Sequence, residues 1–354
     1  MISEKLLNYY DREKRDLPWR ESPTPYRVWI SEIMLQQTRA TAVIPYFQRF
    51  LEHFPTVFDL AEAHEDLLHK LWEGLGYYSR AKNLKKAAEK IVSEYGGELP
   101  ASYEKLLSLP GIGPYTAGAI SSIAFQLPVP AIDGNLLRVY SRRFLIEETI
   151  DSAKGKKKIF ALAEKEISTK RPGDFNQALM DLGNNVCLPK NPKCSICPLK
   201  EDCLALEKNC QEEFPKRKEK IKKTDEKWTV LLLEYDGEFF IEKRPSKGLL
   251  ANLWQFPMIQ GHLKLEDVEK FCQENFYIPK NIETLPSSSH VFSHKVWDLI
   301  GYKISLERVL VLEEEIPFGE KTWAKKKDLE EVYAFSSALT KYREEAIYGM
   351  DSKL

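Results

Sequence analysis

Residues 109–118 read LPGIGPYTAG, and this stretch decides the fold of the larger part of the chain. Gly111 and Gly113 flank one apolar residue between two segments with a helical pattern, 103–108 and 115–125. Two glycines so placed permit a tight hairpin whose amide groups face outward at the start of the second helix. A helix N-terminus attracts anions, so we expect the hairpin to hold a DNA backbone phosphate without reading sequence. A plain corner between two helices is the alternative.

The sequence around this hairpin has a helical pattern throughout. Between residues 1 and 205, apolar side chains recur three and four positions apart, and glycine and proline separate the segments. Runs of alternating β-branched residues are few in this region. We therefore predict an all-α region of roughly ten helices.

The pattern changes after residues 214–227, which read FPKRKEKIKKTDEK and have no apolar face. Such a stretch is typical of an exposed linker. From Trp228 onward, the sequence WTVLLLEYDGEFFIEKRP predicts two strands that turn at Asp236 and Gly237. The predicted organisation is an all-α domain, a basic linker and a separate α+β domain, at residues 1–211, 212–227 and 228–354.

Length and composition set the class of protein. The chain has 354 residues and a formal net charge of −1, which allows two or three globular domains. No apolar run is long enough to span a membrane, and the start MISEKLLNYY is typical of a helix and not of a signal peptide. The six cysteines show no disulfide pattern of a secreted protein. We expect a cytoplasmic protein that does not bind membranes.

Four of the cysteines form a cluster in the sequence. Cys187, Cys194, Cys197 and Cys203 are separated by six, two and five residues in a proline-rich stretch. Cysteines that only pack in a core do not gather in this way, so the cluster predicts a metal site. Zinc sites usually have two C-x2-C pairs, and only one is present here. The spacing favours a [4Fe–4S] cluster that shapes a phosphate-binding loop, with zinc as the alternative.

Two carboxylates are candidates for acid–base chemistry. Glu32 lies in YRVWISEIMLQQT at 26–38, where helical spacing puts apolar side chains on its face. Burial raises the pKa of a carboxyl, so Glu32 is a candidate general acid, with an interhelical salt bridge as the alternative. Asp133 precedes Gly134 and a helix, and a simple N-cap is its alternative role. A corner of this kind leaves an aspartate partly exposed and ionised, able to face a cleft.

Taken together, these features resemble the adenine DNA glycosylase family, the MutY proteins of the helix-hairpin-helix superfamily. The resemblance runs from about Leu17 to the C-terminal domain, and its motifs are 17–20, 31–38, 74–81, 109–118, 132–135 and the four cysteines. It implies a multi-domain fold: an all-α helix-hairpin-helix glycosylase core with a [4Fe–4S] cluster loop, and an α+β Nudix-like C-terminal domain.

The resemblance also assigns roles to individual residues. Glu32 falls on the family's catalytic acid and Asp133 on its catalytic aspartate, with Tyr115 and Asn135 assisting them. The adenine pocket is implied to contain Trp19, Arg20 and Gln177. Residues implied to contact the mispaired 8-oxoguanine or guanine are Gln37, Thr38, Leu75, Tyr77, Phe292, Ser293 and His294.

The second domain resembles the family's MutT-like, Nudix-related domain for 8-oxoguanine recognition. The stretch GLLANLWQFP at 248–257 fits that pattern. Residues 261–270 read GHLKLEDVEK and lack the glutamate-rich motif with which Nudix hydrolases hold magnesium. We therefore expect a domain that binds and does not hydrolyse. The loop of Phe292, Ser293 and His294 matches the family's 8-oxoguanine reader, and an ordinary β-turn is its alternative.

The implied activity is that of a monofunctional enzyme. Related bifunctional glycosylases carry a lysine nucleophile just after the hairpin, where this chain has Tyr115, and no lysine lies between Lys105 and Lys154. A Schiff-base lyase step therefore lacks its amine. The implied substrate is duplex DNA with adenine opposite 8-oxoguanine or guanine, processed in base excision repair by a monomer associated with the nucleoid. The alternatives are a bifunctional pyrimidine-lesion glycosylase, a non-catalytic mismatch sensor and a nucleotide-pool hydrolase.

Overall fold

A computed structural model of the chain describes residues 2–218, 222–309 and 320–349. Up to residue 218, the regular structure of the described part consists of helices and turns, as predicted. The α-helices, labelled α1 to α13, are Ile2–Glu13, Pro18–Glu21, Pro25–Leu35, Ala40–His53, Val57–Glu62, Glu65–Trp72, Ser79–Tyr95, Tyr103–Leu107, Pro114–Ala119, Gly134–Phe144, Ala153–Glu166, Pro172–Asn185 and Leu204–Glu207.

Local capping explains where many of these helices begin. The Thr24 hydroxyl accepts from Arg27 N before α3, and Ser102 accepts from Lys105 N before α8. Thr56 and Asp59 form a reciprocal capping box at α5. Proline stands in the first turn of α2, α3, α9 and α12, where its missing N–H leaves no helical hydrogen bond unmade.

The predicted hairpin joins α8 to α9. Gly111 has φ +75°, in the left-handed region that favours glycine. The second helix is shorter than predicted, because α9 ends at Ala119 and passes into a wider π-helical turn, Ile120–Ala124. The Ser122 hydroxyl donates to the Gly118 carbonyl, a bond of the kind that bends helices.

Helix α12 is the best-buried element of the helical part. It packs against α1 and α10. Gly183 of α12 lies so close to α10 that a Cβ there would stand 2.5 Å from Asn135 Cβ. This approach brings the last turn of α12 next to the start of α10, where Asp133 and Asn135 lie.

The C-terminal part is built around one mixed sheet. Its strands β1 to β7 are Thr224–Tyr235, Glu238–Lys243, Trp254–Gln255, Met258–Gln260, Tyr277–Val291, Lys295–Val309 and Lys321–Lys325. The strand order is β3-β2-β1-β6-β5, with β4 paired to β1 and β7 to β2. Strands β1 and β6 run parallel, and β1 with β2 forms the predicted hairpin. The helices α14 to α16 are Leu265–Glu274, Lys326–Glu331 and Thr340–Tyr348.

The two faces of this sheet are covered by different helices. Alternate residues of β1 divide between two apolar clusters, with Val230 and Leu232 in one and Leu231 and Leu233 in the other. The first cluster includes side chains of α15 and α16, and the second includes α14. Cys272 of α14 is fully buried in the second cluster, so it is a core residue.

The chain divides into two compact units, one of Met1–Ala63 with Lys82–Glu219 and the other of His64–Ala81 with Lys220–Leu354. The sequence places residues 64–81 in the helical domain, whereas in space they belong to the second unit. The domain boundaries at 211 and 227 stay predictions. None of the described helices is long and apolar enough to cross a bilayer.

The predicted linker is more ordered than its composition indicates. Phe214 is buried, and Ile150 N donates to the carbonyl of Lys216 over 3.0 Å. Strand β1 already begins at Thr224. Residues 219–221 of the predicted linker lie outside the described residues. The basic composition of this stretch did not indicate the burial of Phe214 or the start of β1 at Thr224.

Candidate active site

One cavity of about 600 Å³ in the helical unit gathers all the predicted catalytic and adenine-pocket residues. It lies between α2, the end of α3, the start of α9, the start of α10, and α12. Its volume falls in the range of pockets that enclose small ligands. The predicted residues that line it are Trp19, Arg20, Glu32, Gln37, Thr38, Tyr115, Asp133, Asn135 and Gln177.

Glu32 is a buried carboxyl on α3. Its residue exposure is 5%, and Val28 and Trp29 on the same helix are also buried. The Tyr115 hydroxyl donates a hydrogen bond to Glu32 Oε2. Burial raises the pKa of Glu32 to about 7, the bond from Tyr115 and the charge of Arg20 oppose the rise, and the charge of Asp133 adds to it. Near neutrality this group can therefore hold or release a proton.

Asp133 caps α10 and also lines the cavity. Its Oδ1 accepts from the backbone N–H groups of Asn135 and Leu136, at 2.9 and 2.8 Å. Its Oδ2 accepts from Asn135 Nδ2 at 2.7 Å. Burial raises the pKa of Asp133, and these three hydrogen bonds oppose the rise because each favours the charged form. The capping role and the site position are thus both present, and one does not exclude the other.

A ring and two polar side chains form another side of the cavity. Trp19 is buried and packs edge-on against Phe47, with ring centroids 5.5 Å apart. Gln177 of α12 is also buried. Arg20 donates from both terminal nitrogens to Asp181, and its Nε is buried without a partner among the described residues. These groups offer a flat apolar surface and amide and guanidinium hydrogen-bonding groups, as a heteroaromatic base requires.

Sequence reasoning missed several residues of the same cavity. The further lining residues include Arg15, Leu35, Arg39, Met180, Asn184 and Asn185, and Asp181 lies behind Arg20. A signal for some of them exists in α12. Gln177, Asp181 and Asn184 are polar residues four and three positions apart, a spacing that places them on one face of the helix.

A chain of hydrogen bonds runs from Asp133 to the cysteine loop. Asn135 donates to Asp133 and accepts from Arg138 Nη2 at 2.8 Å. Arg138 also donates to the carbonyls of Gly183 and Cys187, at 2.8 and 2.7 Å. The carboxylate in the cavity is therefore positioned partly by the backbone at Cys187.

The four predicted ligand cysteines lie in one loop after α12. Burial raises the pKa of Cys197 to about 11, and the neighbouring thiolates of Cys187, Cys203 and Cys194 add to this rise. Arg142 donates to Cys187 Sγ at 3.3 Å and to the carbonyls of Leu188 and Pro189. Four thiols in one loop are a donor set that suits bound iron.

The number of thiols bears on the kind of group that they can hold, a single metal ion or a cluster. An iron–sulfur cube is a larger group and takes one thiolate at each iron. The four cysteines therefore fit a cluster.

The hairpin lies next to the active-site cavity. Gly111 and Gly113 line a neighbouring cavity of about 540 Å³ that also touches Gln37, Tyr115 and Asp133. A phosphate held at the hairpin amides would therefore lie near the two carboxylates. The phosphate-binding role of the two glycines stays a prediction.

The remaining predicted residues lie in the second unit. Tyr77 is 47% exposed and its hydroxyl lies 3.0 Å from Ser293 Oγ, in the turn between β5 and β6. Phe292 packs against Trp297 at 4.9 Å, and His294 is exposed. Leu75 is 5% exposed, so its side chain does not stand in solvent beside Tyr77. The structure brings Tyr77 and the reader loop together.

Three family descriptions match parts of the chain. Residues 30–168 match the HhH-GPD superfamily of base excision DNA repair proteins. Residues 187–203 match the iron-sulfur binding domain of endonuclease III, and residues 229–345 match the NUDIX domain. The predicted fold class and the predicted [4Fe–4S] cluster are thereby confirmed. The four cysteines lie in the matched stretch 187–203, and their roles as individual ligands stay a prediction.

The chain is also similar to named proteins over most of its length. The adenine DNA glycosylase of Buchnera aphidicola subsp. Schizaphis graminum is 36% identical over 308 residues, which are 86% of this chain and 88% of that protein. The adenine DNA glycosylase of Homo sapiens is 37% identical, over 85% of this chain and 66% of its own.

Solved structures of glycosylases share the fold of the helical part. A thermostable thymine-DNA glycosylase matches with a TM-score of 0.53 and 29% identity, over 58% of this chain and 95% of its own. An endonuclease III–DNA complex matches with a TM-score of 0.51 and 23% identity, over 59% of this chain and 96% of its own, which shows the fold alone. With the identity to the curated relatives, these findings establish that the chain belongs to the adenine DNA glycosylases, DNA-binding enzymes of base excision repair.

Proposed function

We propose that the protein removes adenine mispaired with 8-oxoguanine, and less efficiently with guanine, from duplex DNA by hydrolysis of the N-glycosidic bond. The observation that carries this proposal is the cavity of about 600 Å³ that Glu32 and Asp133 both line. The pKa of Glu32 is raised to about 7, so this carboxyl is partly protonated at neutral pH. Asp133 accepts three N–H hydrogen bonds, which favour its charged form. Two carboxyl groups in different environments are the arrangement used for glycoside hydrolysis.

The target adenine must leave the helical stack before it reaches this cavity. Extrusion costs a few kcal/mol, and less at a mispair. In the proposed pose, Trp19 offers its ring to the base, while Gln177 and Arg20 offer hydrogen bonds. These contacts favour a purine with adenine's edge over a pyrimidine, because a smaller base would leave buried polar groups unpaired.

The proposed chemistry uses the two carboxyl groups in sequence. Neutral Glu32 protonates adenine at N7, which makes the base a better leaving group. The C1′–N9 bond breaks with its electron pair going to adenine, and Asp133 stabilises the oxocarbenium-like sugar. Water then attacks C1′ while Glu32 takes up a proton. Tyr115 holds Glu32 in place, and Asn135 holds Asp133.

The second unit supports recognition of the base opposite adenine. In this proposal Tyr77 acts as a wedge, which fills the gap that the flipped adenine leaves. Tyr77 is exposed and touches Ser293, so it shares one surface with the loop of residues 292–294. Leu75 is buried and must move before it can contact DNA. We therefore assign the wedge role to Tyr77 and the reading of 8-oxoguanine to Phe292, Ser293 and His294. Gln37 and Thr38 line the active-site cavity, consistent with contacts near the mispair from the helical unit.

Single-turnover excision assays test this function. The substrates are duplexes with adenine opposite 8-oxoguanine, guanine or cytosine, and the variants are Glu32→Gln and Asp133→Asn. We expect excision to fall about 10²–10⁴-fold in each variant, the range for loss of a general acid, while mispair binding persists. Glu52→Gln, at an exposed position of α4, is the matched control. Near wild-type rates in Glu32→Gln, or equal rates on all three duplexes, contradict the proposal.

We further propose a monomer that works at the nucleoid in the cytoplasm. The expected substrate is found there, and reduced thiols suit a [4Fe–4S] site. Light scattering of the purified protein with and without duplex DNA tests the oligomeric state. A mass of twice 41.0 kDa for the free protein would contradict a monomer.

A further inference from the structure

A buried ion-pair triad lies behind the adenine side of the cavity. The Asp181 side chain has 0% exposure. It accepts from Arg15 Nε at 2.7 Å, from Arg20 Nη1 at 2.7 Å and from Arg20 Nη2 at 3.2 Å. Both oxygens of one carboxylate therefore accept from two arginines, Arg15 between α1 and α2 and Arg20 in α2. The two arginines and the one carboxylate together have a net charge of +1.

The triad fixes the position of the Arg20 guanidinium. Both terminal nitrogens of Arg20 donate to Asp181, and Nη1 also donates to the Arg15 carbonyl at 3.3 Å. The guanidinium lies 5.5 Å from the Tyr10 ring centroid, which closes another side. Arg20 is thereby held in one place beside the cavity that Glu32 also lines.

The charges that face Glu32 are few. Arg20 is the cation that interacts with it, Asp133 is the anion, and Tyr115 is its hydrogen-bond partner. Arg39 also lines the cavity, and Arg15 lines it beside Arg20. Since Asp181 is bonded to both Arg15 and Arg20, its charge offsets one of theirs. Removing either Asp181 or Arg15 changes the net charge of the triad, but in opposite directions.

We infer that Asp181 is a positioning residue, which holds the Arg20 guanidinium beside the cavity and, together with Arg15, sets the positive charge that Glu32 experiences. This inference rests on the proposed role of Glu32 as the acid. The net charge of the triad is +1 in the native protein. It becomes +2 in Asp181→Asn and 0 in Arg15→Gln. It returns to +1 in the double variant.

The experiment measures the pH dependence of single-turnover adenine excision for these variants. The rate falls at high pH as Glu32 loses its proton, and added positive charge favours the ionised form. We expect the falling limb to move to lower pH in Asp181→Asn, by about 0.5 pH unit or more, which is about threefold in rate at pH 8. In Arg15→Gln the limb moves to higher pH. The double variant returns it close to the native position.

The control is Asp11→Asn, which makes the same change in charge at an exposed pair with Arg171 and leaves the limb in place. A loss of rate that is equal at every pH in both single variants overturns the inference, because it marks a purely structural role. If Asp181→Asn lacks iron or unfolds, the Arg15→Gln arm decides: an unmoved limb overturns the inference and a shift to higher pH supports it. A native enzyme with no falling limb, or an active Glu32→Gln variant, instead refutes the proposed role of Glu32.

Discussion

At Glu32, stability and chemistry make opposite demands. The carboxyl lies on a helix whose neighbouring side chains are apolar, and it receives a hydrogen bond from Tyr115. Burial disfavours the charged form, so the side chain keeps its proton close to neutral pH. Above neutral pH the same burial destabilises the folded state, because the side chain is then ionised. Two predictions follow from this one side chain.

The first prediction concerns activity. Because the protonated form of Glu32 is the proposed acid, excision by the native enzyme should fall as pH rises through about 7, approaching tenfold per pH unit. Single-turnover rates between pH 6 and 9 measure this, with mispair binding followed in the same buffers as the control. A rate that is flat to pH 9, or that falls already at pH 5, would contradict the burial argument.

The second prediction concerns stability. The folded pKa of Glu32 lies above its ordinary value of 4.5, so the folded state binds the proton more tightly than the unfolded chain. The contribution of Glu32 to native stability is then largest below pH 4.5 and is lost as pH rises toward 7. Glu32→Gln does not titrate, so its stability relative to native should increase by about 2 kcal/mol between pH 5.5 and 8.5. Melting temperatures at both pH values test this, and an unchanged difference refutes it.

At the scale of elements, α12 brings the cavity and the cluster loop together. One face of this helix supplies Gln177 and the Asp181 anchor to the cavity. Its C-terminal end leads into the loop of the iron–sulfur ligands. Gly183 lets the helix approach α10, and its carbonyl accepts from Arg138. The geometry at Asp133 therefore depends on a close contact between two helices.

Gly183→Ala tests that contact. The new methyl group would stand 2.5 Å from Asn135 Cβ, so α10 and α12 must separate or Asn135 must turn away from Asp133. Overpacking of this kind costs about 1–3 kcal/mol, and we expect at least a tenfold loss of excision. Gly134→Ala, whose added Cβ meets no atom within 4 Å, is the control for stability. If Gly183→Ala kept the native melting temperature and the native rate, the two helices would be able to separate without cost and the prediction would be wrong.

The loop of the cluster depends on α10 as well. Arg142 is almost fully buried and donates to carbonyls of Leu188, Pro189 and Gln211 as well as to Cys187 Sγ. Arg142→Gln loses most of these bonds and leaves buried carbonyls unpaired. We expect less iron per protein molecule and faster loss of visible absorbance under a chelator. Arg143→Gln loses the pair with Glu166 and the contact with the Phe144 ring but none of the Arg142 bonds, so it is the matched control and should keep its iron.

At the scale of the whole molecule, the second unit includes a segment from the helical sequence. Asp66 of α6 accepts from Trp254 Nε1 at 3.2 Å and pairs with Lys243 at 3.0 Å. Glu73 accepts from Phe335 N at 2.8 Å and pairs with Arg343. These partly buried polar contacts tie residues 64–81 to the sheet domain. The same segment carries Tyr77.

Glu73→Gln should therefore disturb recognition of the mispair. The variant loses the charge that pairs with Arg343 and Lys70, which leaves partly buried cations unpaired. We expect binding to adenine:8-oxoguanine duplexes to weaken about tenfold, a change of about 1.4 kcal/mol. Glu89→Gln, which disrupts an exposed pair within α7, is the control. Native affinity in Glu73→Gln, measured at one fixed salt concentration, would contradict the argument.

Local signals explain how far the sequence predicts this molecule. The apolar neighbours of Glu32 and the glycine pair of the hairpin act over a few residues, and the chain shows them directly. The pairing of Glu32 with Asp133 joins positions about a hundred residues apart, which helical periodicity does not relate. Asp181 was missed for the same reason, since Arg15 and Arg20 are 166 and 161 positions away. Likewise, the pattern of α6 shows that one face is buried but not against which domain.

The interleaving of residues 64–81 with the C-terminal unit restricts how this enzyme can be recombined. A chimera that imports only the C-terminal domain of a relative would face the native Asp66 and Glu73 with foreign partners. Exchange of both pieces together preserves the bonds to Trp254, Lys243 and Phe335. In engineered hybrids, and in relatives that diverge naturally, we therefore expect these two separate stretches of sequence to be exchanged or to change together.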